Sequence, residues 1–117
     1  MDKFPARMFR WAAIYGVIVL VPLYLTPLPK AGAEVFFGFV GLTLVFQGVF
    51  WTIGSDPPKY RALMPIGVAE KLVFALPCLA LLASGYPVNP PVAAFAAIDL
   101  LLVLGFFLAW RGSLTPA

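Results

Sequence analysis

Hydrophobic residues occur in four long runs, separated by short segments rich in proline, glycine and charged residues. A run of about twenty apolar residues can cross the hydrocarbon core of a bilayer as a helix. Because all three connections are short, consecutive helices are expected to be antiparallel neighbours. The pattern predicts an all-α transmembrane four-helix up-down bundle, one integral membrane domain over residues 1–117, with helices at about 10–28, 35–54, 63–84 and 90–111.

The first apolar run has an alternative interpretation as a cleavable signal peptide, because a basic segment precedes it and the small residues Ala31, Gly32 and Ala33 follow it. The run is longer than the usual core of a signal peptide. Tyr15 and Pro22 are also typical of a retained, kinked membrane helix. We therefore expect the segment to be retained, and cleavage after Ala33 stays open as the alternative.

The basic residues predict the orientation of the bundle. Cytoplasmic loops of membrane proteins carry an excess of lysine and arginine. In a four-crossing arrangement one side has only Lys30, and the other has Lys3, Arg7, Arg10, Lys59, Arg61 and Arg111. Both termini are therefore predicted to be cytoplasmic.

Local signals predict how several helices begin, end and pack. Asp56 is a good helix cap before the third helix, and Ser84–Gly85 is a typical helix end. Gly41 and Gly48 lie seven residues apart in the second helix and so share one face. Small residues let membrane helices approach closely, so we expect a tight helix contact on that face.

Composition narrows the chemistry that the chain can perform. The sequence is 62% hydrophobic and 11% charged, which lies far outside the range of a soluble domain, and its net charge of +3 does not suggest a nucleic acid partner. Without histidine, and with Cys78 as the single cysteine, it lacks the commonest general base and metal ligands. We predict no metal, no cofactor and no enzymatic activity. Cys78 is interpreted as a packing residue, with redox chemistry or acylation as the alternative.

Polar residues interrupt the apolar runs at similar depth. Glu70 and Lys71 are adjacent in the third run, where each charge near the centre of a membrane helix costs roughly 2.5–3.5 kcal/mol. At about 1.5 Å per residue, Glu70 lies roughly 12 Å, Gln47 roughly 10 Å and Asp99 roughly 18 Å from the cytoplasmic ends of their helices. A buried polar layer is therefore predicted, consisting of Glu70, Lys71, Asp99, Gln47, Thr43 and Tyr15.

Side-chain direction gives some detail of this layer. Side chains lean toward the amino terminus of their own helix, which points Lys71 and Asp99 in opposite directions and weakens a direct bridge between them. The Lys71 side chain is nevertheless long enough either to close this gap or to extend the other way. Tyr15 of the first helix is expected to meet Glu70.

The polar layer has two main interpretations. In the first, it is an internal network that sets helix packing or the choice of partner, in a non-enzymatic structural or accessory protein of the lipid bilayer. Such a protein would pair with a second copy of itself or with another membrane protein. In the second, it is a ligand or proton site of a small transporter or ligand-binding protein whose small-molecule ligand is unknown, because ionisable residues inside membranes often line pathways.

Three segments carry a resemblance to known proteins: DPPKYRALM at 56–64, EKLVF at 70–74 and DLL at 99–101. The chain resembles a group of small uncharacterised four-helix bacterial inner-membrane proteins with a DPxxYRxLM and EKLxF pattern, although Lys59 stands where arginine is expected. The resemblance implies four helices and a bacterial inner membrane, and it implies no activity. Small multidrug transporters have a similar length, but they carry an acidic residue in the first helix, and Trp11 to Leu28 contains none.

Overall fold

The computed structural model describes residues 3–113, which form four long helices and no strand. Helix α1 is Phe4–Leu20 and continues as a 3-10 helix, Val21–Leu25. Helix α2 is Ala33–Ser55, α3 is Met64–Ala83 and α4 is Pro90–Gly112. By length and composition, each of the four is suited to crossing a membrane.

The first helix begins at Phe4, earlier than the predicted start near residue 10. Pro5 lies in its first turn, where a missing backbone N–H costs nothing, and the basic residues that follow do not interrupt a helix. The prediction was wrong because it took the start of the apolar run for the start of the helix. At Pro22 the missing N–H cannot continue the α-helical bonding, and a 3-10 helix follows.

The predicted Ser84–Gly85 helix end is present in the structure, but the predicted cap at Asp56 is wrong. Helix α3 begins at Met64 after Leu63 and has no side-chain cap, and Asp56 Oδ1 instead accepts a hydrogen bond from the Lys59 N–H at 3.4 Å in the turn between α2 and α3. At the end of α3, Gly85 has a φ of +85°, and the Tyr86 N–H donates to the Leu81 carbonyl at 2.9 Å. This is the glycine-terminated helix end that Ser84–Gly85 predicted.

The helices associate as two pairs. Helix α1 packs along α2 and α3 packs along α4, while α1 also contacts α4 and the contact between α2 and α3 is small. One buried cluster draws on all four helices, with the Phe9 ring stacked on the Phe106 ring at 4.2 Å and the Phe50 ring 5.0 Å from Phe106. A second cluster of Ala75, Cys78 and Ala96 joins only α3 and α4. The two pairs therefore pack together at one end and leave space between them at the other.

The predicted close contact at Gly41 and Gly48 is wrong. A Cβ atom added to Gly48 would meet no other described atom within 4 Å, and one added to Gly41 would meet only Tyr24 Oη at 3.5 Å. The tight contacts between α1 and α2 instead involve Gly16, which lies against Gln47, and Gly54, which lies against Arg10. Residue spacing identifies a shared helix face, but it does not identify the face that meets a neighbour.

Candidate functional site

A cavity of about 800 Å³ lies between the α1–α2 pair and the α3–α4 pair. Its walls are mostly apolar and carry many aromatic rings. The structure brings all six residues of the predicted polar layer to its surface: Tyr15, Thr43, Gln47, Glu70, Lys71 and Asp99. Cavities of this size with a few convergent polar groups are the usual form of a small-molecule site.

Lys71 is the centre of the polar cluster. Its ammonium nitrogen lies 3.7 Å from Glu70 Oε2 on the same helix and 3.7 Å from Asp99 Oδ1 on α4. Of the two alternatives left open for Lys71, the structure shows the one in which its four-carbon stem closes the gap to Asp99, although the two side chains lean in opposite directions. The ammonium also lies 5.2 Å from the centre of the Phe50 ring, and the Lys71 side chain is only 4% exposed.

The two carboxylates share a single counter-charge. At 3.7 Å, each ion pair is longer than a charge-assisted hydrogen bond, which is about 2.7–2.9 Å. Glu70 Oε2 is buried and accepts no hydrogen bond from the described residues. With both carboxylates ionised, the cluster has an excess of one negative charge at the edge of an apolar cavity. A cationic group of a ligand in the cavity would compensate this excess charge.

Gln47 and Thr43 extend the polar surface along α2. Gln47 is 2% exposed, and its Nε2 donates a hydrogen bond to the Thr43 carbonyl at 2.8 Å. Gln47 Oε1 receives no hydrogen bond from residues 3–113, and a Cβ atom added to Gly16 would overlap this side chain. The Thr43 hydroxyl donates to the Phe39 carbonyl at 2.7 Å. Gln47 Oε1 therefore lies buried against Gly16 without a hydrogen bond from the described residues.

Tyr15 lines the cavity from α1, but the expected hydrogen bond between Tyr15 and Glu70 is absent among the described residues. The Tyr15 hydroxyl is buried and unpaired in this part of the chain, as is Glu70 Oε2. The structure therefore brings Tyr15 and Glu70 to the same cavity, as expected, without a hydrogen bond between them.

The cavity approaches the outer surface between α2 and α3, where helix contact is small. Leu42 on α2 and Val73 on α3 both line it and are 70% and 71% exposed. Just beside them, the rings of Phe39 and Phe74 lie 5.9 Å apart and join the two helices. Both rings belong to the lining of the cavity.

Several cavity residues were not predicted from the sequence. Phe39, Phe74 and Gly16 all line the cavity. The rotation of each helix about its axis decides which phenylalanine or glycine faces the cavity, and the sequence does not give that rotation. Cys78 is buried against Ala75 and Ala96 and also reaches the cavity wall, with its thiol unbonded to another cysteine. Among residues 3–113, no group of three or more cysteine and acidic side chains is arranged to hold a metal ion.

No protein-family model, curated protein or solved structure matches this chain.

Proposed function

We propose that the chain crosses a membrane four times as an up-down bundle with both termini on the cytoplasmic side. Contacts between α1 and α2 support opposite directions for these helices, since Gly54 near the end of α2 lies against Ala6 and Arg10 near the start of α1, and Gly16 lies against Gln47. The positive-inside rule supports the orientation. The resemblance to small bacterial proteins favours a bacterial inner membrane.

Within that membrane, we propose that the protein binds a small apolar molecule with a single positive charge in the cavity between the helix pairs. The observation that carries this proposal is the sharing of Lys71 by two carboxylates beside apolar walls, which leaves an excess negative charge when both carboxylates are ionised. A bound cation would restore neutrality where water is scarce. An anion would add to the excess charge, so the cluster discriminates by the sign of the charge.

The residues that line the cavity favour an organic, apolar cation as the ligand over a small inorganic cation. Aromatic rings attract cations through their faces, and Phe36, Phe39, Phe46, Phe74 and Phe95 contribute to the lining. The volume of about 800 Å³ is far larger than a bare metal ion needs and falls within the usual range for organic ligands. The gap between α2 and α3 would admit such a molecule directly from the bilayer, where apolar cations accumulate.

A second candidate is a structural or accessory role without enzymatic activity. The observation that favours it is that Lys71 links α3 to α4 while almost fully buried, which is also what a packing network requires. In this role the cavity would receive a second copy of the chain or another membrane protein. The two candidates differ in whether a small cation binds saturably to the isolated protein.

Single neutral substitutions separate these roles. Glu70→Gln and Asp99→Asn each leave Lys71 with one carboxylate, so neither exposes an uncompensated lysine and both are expected to fold. We expect each to weaken the binding of tetraphenylphosphonium, a rigid apolar cation, by at least about tenfold, which is about 1.4 kcal/mol. Glu34→Gln is the matched control, because Glu34 lies in the first turn of α2 and does not line the cavity.

Binding can be measured by equilibrium dialysis of the purified protein in detergent, with circular dichroism to verify folding. Loss of binding in the two cavity variants with normal binding in Glu34→Gln would support ligand binding. Equal binding in all variants and the wild type would refute the proposal that Glu70 and Asp99 attract the cation. Absence of cation binding to the wild type, together with loss of oligomer or partner in the cavity variants, would support the accessory role instead.

A further inference from the structure

A second concave surface lies at the other end of the α1–α2 pair, outside the cavity described above. It has a volume of about 340 Å³ and is formed by the first turns of α1 and by Trp51 near the end of α2. We call this surface the basic groove, and its lining consists of Lys3, Ala6, Arg7, Arg10, Trp11, Ile14 and Trp51.

Three cations line the basic groove, and none of the described acidic residues lines it with them. Lys3, Arg7 and Arg10 follow the spacing that aligns side chains on one helix face, and none of the lining residues is acidic. None of the three forms an ion pair within residues 3–113, where the two ion pairs both involve Lys71. The groove thus concentrates positive charge that the described residues do not neutralise.

Aromatic residues frame these cations at the position expected of a membrane interface. The guanidinium carbon of Arg10 lies 4.7 Å from the centre of the Trp51 ring, which orients the guanidinium and leaves its edge N–H groups available. Trp11 is 68% exposed beside it. Tryptophan is enriched at the level of lipid headgroups, where its apolar body and its polar N–H are both satisfied.

From this combination we propose that the basic groove binds the headgroup of an anionic phospholipid. The phosphate accepts hydrogen bonds from Arg7 and Arg10, whose planar donor groups suit phosphate oxygens. Lys3 supplies additional positive charge at the rim, and the upper parts of the acyl chains lie along Trp11 and Ile14. The apolar side of the groove distinguishes a lipid from free phosphate, because only the lipid has chains to cover it.

The test compares phosphatidylglycerol with phosphatidylcholine of the same chain length, added to delipidated wild-type protein and followed by native mass spectrometry. Each lysine or arginine near an anionic surface contributes about fivefold, so Arg7→Gln/Arg10→Gln is expected to weaken phosphatidylglycerol binding by about thirtyfold. The matched control is Lys59→Gln/Arg111→Gln, which removes the same charge outside the groove. Arg7→Gln alone, at an exposed position, should give about a fivefold loss and does not disturb the packing of Arg10.

The expected result is preference for phosphatidylglycerol in the wild type and in the control, and loss of that preference in the groove variants. Equal losses in the groove and control variants would overturn the proposal, since net charge alone would then explain the binding. Equal affinity for phosphatidylcholine would also overturn it. Inorganic phosphate is the last comparison. If it displaced the bound lipid at the same concentration as added phosphatidylglycerol does, the groove would be a site for free anions, and this would also overturn the proposal.

Discussion

The ammonium nitrogen of Lys71 on α3 lies 3.7 Å from a carboxylate oxygen of Asp99 on α4, and Glu70 lies at the same distance from that nitrogen. The buried Lys71 ammonium group therefore joins α3 and α4 and is the shared counter-charge of two carboxylates. This arrangement makes Lys71 the member of the cluster whose loss is the most costly.

Lys71→Met is expected to destabilise the protein by about 3–5 kcal/mol, because it leaves two carboxylates without a counter-charge while preserving the length of the side chain. Asp99→Asn should cost only roughly 1 kcal/mol, since Lys71 keeps Glu70 as a partner. Unfolding in mixed detergent, followed by circular dichroism, gives both free energies. A larger loss of stability in Asp99→Asn than in Lys71→Met would contradict the shared-cation description.

Gly16→Ala is expected to destabilise the contact between α1 and α2 by about 1–3 kcal/mol, because the added Cβ atom would overlap the Gln47 side chain. Gly48→Ala is the matched control in the neighbouring helix, where the new atom would meet no other described atom within 4 Å. The same unfolding measurement applies. Equal effects of the two substitutions would show that Gly16 and Gln47 do not pack as described.

Phe39→Ala is expected to accelerate the dissociation of a bound apolar cation, because it removes the ring that contacts Phe74 beside the cavity. An aromatic pair contributes about 0.5–1.5 kcal/mol, which corresponds to roughly a two- to tenfold faster release. Stopped-flow displacement of a fluorescent apolar cation measures the rate. Phe107→Ala is the control, since Phe107 is exposed on α4 and does not line the cavity. Similar release rates in both variants would exclude passage between α2 and α3.

The mature protein is expected to retain α1. Phe9, Ala12 and Ala13 of this helix are buried in the cluster that joins all four helices, and Tyr15 forms part of the cavity wall. Intact-mass measurement of protein purified from its membrane should therefore give a chain that includes these residues. A mass corresponding to a chain that begins at Glu34 would show cleavage after Ala33 and would remove one wall of the site.

Four helices could be predicted from the sequence because apolar length and chain breakers are local properties. The 3-10 helix after Leu20 and the early start at Phe4 were missed, since both depend on how proline and basic residues continue a helix beyond its apolar run. The close contacts at Gly16 and Gly54 were missed because the rotation of each helix about its axis decides which of its glycines meets a neighbouring helix.

The six residues of the polar layer could be identified because depth along a helix follows from counting residues. The contacts among these residues could not be predicted, because they depend on how far the Lys71 side chain extends and on the separation between the two helix pairs. The cavity itself was not predictable for the same reason. It arises where the α1–α2 pair and the α3–α4 pair stop packing together, and no single segment of sequence encodes that separation.

The most direct test of the central claim compares two ions of nearly equal size and shape and opposite charge, tetraphenylphosphonium and tetraphenylborate, for saturable binding to the wild-type protein. Isothermal titration calorimetry in one detergent, corrected by titration into detergent alone, gives both affinities. We predict one saturable site for tetraphenylphosphonium, with an affinity at least about tenfold higher than that for tetraphenylborate. Equal or tighter saturable binding of tetraphenylborate, or no saturable binding of the cation, would contradict the proposal that the cavity selects an apolar cation.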